Sequence, residues 1–126
     1  MKMVTHLRFD EPVRLDREKL EHLYVQLGSR GAEDVISRAM EELAVRLAKV
    51  GKAWKRSDME EVRRVSRSMV AISEQIGMVA FARVAGQVSA LAVTDKGTAL
   101  AATVTRLTRI GEGSLIAVWD LQDLSV

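Results

Sequence analysis

The chain reads as an all-α protein, an up-and-down four-helix bundle with a short extra helix at each end. Three observations predict it. Ala, Leu, Arg, Glu and Met give long windows of high helix propensity, while one proline and 4% aromatics withhold the turns and β-formers of a sandwich or barrel. Apolar residues recur at alternating steps of four and three, the spacing of a helix face. The connections between helical segments are short, which packs successive long helices antiparallel. With 126 residues, 48% apolar and 29% charged, the chain is expected to form one bundle domain over residues 15–126, preceded by an arm of residues 1–14.

The arm has only the weak alternation Thr5, Leu7, Phe9, and Pro12 stops any helix from starting within it. Asp16 suits the N-cap of a first short helix with Leu20, Leu23, Tyr24 and Leu27 on one face and Gly28 at its end. The second helix, from about Ala32 to Lys55, carries the seam Ile36, Met40, Leu43, Leu47, Val50, Trp54 and would be roughly 36 Å long at 1.5 Å per residue. Its other side holds Glu33, Arg38, Glu41, Lys49 and Lys52. Ser57 with Glu60 three residues on has the form of a capping box and restarts the chain as a third helix. Met59, Val62, Ser66, Met69, Ser73 and Ile76 make its inner stripe, broadened by Val65 and Ile72, and Gly77 ends it in a left-handed conformation. A fourth helix from about Val79 turns Phe81, Val84, Ala85, Val88, Leu91 and Ala92 inward. After Thr94-Asp95-Lys96-Gly97 a fifth does the same with Leu100, Val104 and Leu107. Gly111-Glu112-Gly113 is expected to break it, leaving Ser114 to cap a last short helix holding Leu115, Val118 and Trp119.

Composition removes several function classes. The chain has no cysteine, so disulfides, thiol catalysis and cysteine-based zinc sites are excluded. No apolar run of about 18 residues is present to span a bilayer. The first residues, MKMVTHLRFDEPVRL, lack the apolar core of a secretory signal, so a cytoplasmic location is expected. The pI of 9.2 corresponds to a net charge of only +2, a weak sign of nucleic-acid binding. The pairs Glu41-Glu42 and Glu60-Glu61 point to different helix sides, and Ser66, Ser68 and Ser73 have no base beside them. His22 lies about 200° round the first helix from Leu20, and His6 lies in the arm, so the two make no metal site. The six methionines read as adaptable core filler. No enzyme, cofactor or metal is expected.

The most informative stretch is Arg63 to Gly77, RRVSRSMVAISEQIG. On this helix Arg67 has Arg63, Arg64, Val70, Ala71 and Glu74 as neighbours three and four residues away. Three arginines thus border a small apolar strip, which in an isolated helix is simply a solvated face. The stretch resembles the central helix of histidine-containing phosphotransfer (HPt) domains, whose pattern is H-x-L-K-G with a further glycine ten residues after the histidine. Gly77 matches that glycine and Met69 stands for the leucine; Val70 replaces the lysine, Ala71 the first glycine, and Arg67 the histidine. The resemblance covers helix order and turns from about Leu15 to Leu115.

The resemblance implies a protein of a bacterial two-component phosphorelay, one that binds a response-regulator receiver domain or a histidine kinase. Arg67 removes the carrier atom, because a guanidinium stays protonated and has no nucleophilic lone pair. What remains is a docking face of Arg63, Arg64, Arg67, Val70, Ala71 and Glu74, the two outer arginines adding long-range attraction. Two other classes stay open. One is a helical interaction or dimerisation module outside phosphorelays. The other is weak nucleic-acid binding through Arg63, Arg64 and Arg67 with Lys52, Lys55 and Arg56.

Overall fold

The computed structural model describes residues 15–125, with side chains as far as Asp120; the arm, His6 included, lies outside them. The fold is the all-α bundle. Its helices are α1 (Arg17–Lys55), α2 (Met59–Gln75), α3 (Val79–Leu91) and α4 (Gly97–Ser125). Each packs on the next and α1 packs on α4, which closes the bundle. Among the described residues the one β-type pairing is an isolated antiparallel bridge between Leu15 and Met78.

Asp16 caps α1, its side chain accepting from Lys19 N–H at 3.2 Å. The expected division of this region occurs inside α1, where Gly28 leaves helical geometry at φ 75° and ψ 170°. Leu27, beside that break, is 47% exposed and does not join the inner face expected of it. The seam holds beyond the break. Ile36, Leu43 and Val50 are fully buried, while Met40, Leu47 and Trp54 pack half-buried against the core.

The cap of α2 differs by one residue from expectation. Asp58, not Ser57, accepts from Glu61 N–H, at 3.1 Å. The reason lies in how α1 ends. Ser57 is left-handed at φ 60°, and Asp58 N–H reaches back to Ala53 O at 2.9 Å, closing the helix in a Schellman arrangement. A residue used to finish one helix cannot cap the next, so the role passes to Asp58. Gly77 ends α2 in the same way: φ is 77° and Met78 N–H donates to Ser73 O at 2.9 Å.

The expected break at Gly111-Glu112-Gly113 does not occur, and no separate last helix forms. The α4 helix runs unbroken from Gly97 to Ser125. A helix-interior glycine costs about 1 kcal/mol relative to alanine, but here it allows close packing. A Cβ at Gly111 would stand 2.7 Å from Phe81 Cε1 and 2.8 Å from Leu47 Cδ2. Continuity also fixes the phase of the last turns. Val118 stays on the inner face with Leu107 and is fully buried, while Trp119, one residue on, is turned out and 58% exposed. Ser114, expected as a cap, is instead buried with its hydroxyl unpartnered in the structure.

The α2–α3 contact is made close by small residues. Ser66 and Ser73 are fully buried, each hydroxyl returned to its own helix, on Val62 O and Met69 O at 2.6 Å. On α3, which packs against α2, Ala82 and Ala85 are buried, and Gly86 lies beside Val70.

Glycine positions test these contacts. Gly77→Ala is expected to lower stability in urea by about 1–3 kcal/mol from its left-handed backbone alone, and more because the new Cβ would stand 2.7 Å from Asp16 O. Gly51→Ala, inside α1 with open space around its Cβ position, should gain about 0.4–1 kcal/mol. Equal effects from the two substitutions would show that Gly77 is not the joint described here.

Candidate docking groove between the second and third helices

The outer face of α2 forms one wall of an open groove of about 570 Å3. This wall carries Arg63, Arg67, Val70, Ala71 and Glu74. The opposite wall is α3, with Gly86, Ser89, Ala90 and Val93. Ser89 joins the walls, its hydroxyl donating to Arg63 O at 3.3 Å. A Cβ at Gly86 would just touch Val70 Cγ2 at 4.0 Å, so the floor is shallow and made of small side chains.

The cations on this face are not equivalent. Arg63 donates two hydrogen bonds to the Glu60 carboxylate one turn back. Arg64 pairs with Glu61 at 2.5 Å and lines a different groove, between α1 and α2, with Glu41, Glu42, Arg46 and Lys49. Arg67 is exposed and makes no hydrogen bond or ion pair with any described residue, Glu74 included. The expected cluster of three arginines thus resolves into two cations paired within the helix and one unpaired guanidinium. Sequence spacing brings Arg63, Arg67, Val70, Ala71 and Glu74 together in the groove and leaves Arg64 on its flank.

Of the motif positions, Met69 is fully buried beneath the face and Gly77 closes the helix below it. The α3 wall was not anticipated. Its signal was present as Gly86 and Ala90, small residues four apart and so on one face of the helix. His22 is exposed on the first segment of α1. Lys52, Lys55 and Arg56 are exposed around the end of α1, where Arg56 pairs with Asp58 at 3.5 Å. Among the described residues no group of three His, Cys, Asp or Glu could hold a metal, and no helix is long and apolar enough to cross a membrane.

The Glu60–Arg63 pair has a pH signature. The Arg63 hydrogen bonds hold the Glu60 carboxyl below the usual carboxylate range, and the same contact raises the Arg63 guanidinium. Folding therefore favours ionised Glu60. Its contribution is present above the unfolded-state pKa and is lost as pH falls through the lower folded-state value. Carbon-detected NMR titration should place the Glu60 midpoint below that of a free glutamate and return it to the ordinary range in Arg63→Gln. An unmoved midpoint in that variant would mean the pair does not persist in solution.

No protein-family model matches the sequence, and no curated protein does. Among solved structures, the chain is similar to the crystal structure of histidine-containing phosphotransfer protein B from Pseudomonas aeruginosa PAO1. The TM-score is 0.79 at 16% identity, over 87% of this chain and 95% of that one. The chain thus has the fold of an HPt protein.

Proposed function

We propose that this protein is an HPt-like docking protein of a two-component phosphorelay, in which Arg67 stands at the phospho-histidine position and no phosphate is carried. The observation that carries the reading is the unpaired, exposed guanidinium of Arg67 within a groove on a bundle of HPt fold. An HPt histidine attacks with a neutral ring nitrogen, which a permanently protonated guanidinium lacks. The protein is accordingly not an enzyme. It acts by occupying the partner, a receiver domain or a histidine kinase, as an antagonist, adaptor or sequestering protein in the cytoplasm.

A receiver's phosphorylation pocket is acidic and binds magnesium. The Arg67 guanidinium suits a carboxylate of that pocket through two parallel charge-assisted hydrogen bonds. Ala71, Gly86 and Ala90 let the partner approach closely. Because the guanidinium brings positive charge, it competes with magnesium, and because it cannot accept phosphate, it prefers the unphosphorylated receiver.

A second reading, a self-associating helical module, is favoured by Ile116 and Trp119, 61% and 58% exposed on α4, a helix that lines no part of the groove. The two separate by experiment. Titration against purified receiver domains should give binding weakened by magnesium and weakened about thirtyfold or more by Arg67→Ala, the equivalent of about 2 kcal/mol for losing one partner of a desolvated charge pair. Affinity indifferent to both would sink the docking reading. Self-association unchanged by Arg67→Ala would favour the module.

Incubation with a phosphorylated receiver should leave no acid-labile phosphate on the protein. Stoichiometric label on His22 would overturn that expectation. Arg67→His alone should restore little transfer, since Val70 stands where the HPt pattern has lysine.

A further inference from the structure

The α2 wall of the groove carries charge of both signs. Arg67 and Glu74 are exposed, and neither side chain has a hydrogen bond or ion pair to any described residue. They line the same groove seven residues apart, roughly 10 Å of helical rise, and do not meet each other. Arg63, also in the groove, is taken by Glu60. What the wall presents is therefore one unpaired guanidinium and one unpaired carboxylate, with half-buried Val70 and exposed Ala71 between them.

We infer that this groove takes a second copy of the chain, the two α2 helices crossing antiparallel about a two-fold axis between Val70 and Ala71. The midpoint of Arg67 and Glu74 falls at that axis. Symmetry then brings Arg67 to the level of the partner subunit's Glu74 and Glu74 to that of the partner subunit's Arg67, so two charge-assisted pairs form together. A parallel crossing would set Arg67 against the partner's Arg67 and Glu74 against the partner's Glu74, so charge selects the antiparallel one. An occupant of a single sign leaves one of the two groups unpaired, whereas a second copy satisfies both. Shape agrees with charge. Only valine and alanine stand at the axis, which lets the helices approach to the packing distance of about 8–10 Å. On the α3 wall, Gly86, Ser89, Ala90 and Val93 are no larger than valine, and Val93 is 68% exposed, apolar surface that a second copy would cover.

The self-pairing needs no receiver domain. Its consequence for signalling, that the dimer hides Arg67 and the free monomer alone docks, rests on the docking reading. The test therefore uses the protein by itself, and its outcome is separate from that of the receiver titration. Sedimentation velocity from about 10 μM to about 1 mM should show a reversible dimer that added salt weakens. Arg67→Glu and Glu74→Arg change exposed side chains only, and each sets like charges across the axis. Each should weaken the dimer about tenfold or more, because symmetry removes both pairs at once. Mixed in equal amounts, the two variants are complementary at both pairs and should associate about as tightly as the wild type. Both substitutions in one chain should likewise restore the homodimer. A wild type that stays monomeric overturns the proposal. So does self-association indifferent to the two substitutions, which would place the interface elsewhere, such as at Ile116 and Trp119. A mixture that fails to associate overturns it as well.

Discussion

The geometry of the groove depends on one backbone conformation, the left-handed Gly77. At φ 77° it ends α2, lets Met78 N–H close onto Ser73 O, and presents its own carbonyl to Asp16 N–H. Three elements thus meet at one peptide: the end of α2, the start of α3 and the Leu15–Asp16 lead into α1. Any residue with a Cβ would pay twice here, once for the positive φ and once for contact with the Asp16 carbonyl. The direction in which α3 returns along α2, and so the existence of a groove, follows from this turn.

The second constraint is how near α3 approaches. Ser66 and Ser73 sit fully buried in α2 without partners on the neighbouring helix, their hydroxyls bonded to their own backbone. Such serines behave sterically as small residues while leaving no polar atom unsatisfied. With small Ala82, Ala85 and Gly86 on α3, the helices come close enough for Ser89 to reach the Arg63 carbonyl. Larger side chains at these positions would push α3 outward and flatten the wall.

Much of this was legible in the sequence where one local rule acts alone. The seam Ile36–Trp54, the cap at Asp16 and the left-handed Gly77 follow from periodicity, side-chain chemistry and glycine's freedom. Legibility failed where two rules compete or a distant residue decides. Ser57 fits a capping box, but the end of α1 claims it first. Gly111 and Gly113 look like a break until Phe81 and Leu47, far away in sequence, fill the space beside Gly111. Spacing also placed Arg63, Arg64 and Arg67 on one face without showing that Glu60 and Glu61 take the first two. The α3 wall could not be paired with α2 from either helix alone.

That pairing of Arg63 and Arg64 has a kinetic meaning. Two of the cations near the groove are compensated within their own helix turn, so little net field extends beyond a Debye length of about 8 Å at physiological salt. In the proposed docking role, encounter with an acidic partner would proceed near the unsteered rate of about 10^5–10^6 M−1 s−1. In that same role, discrimination among partners would fall to how long each complex survives, set by the fit around a single guanidinium.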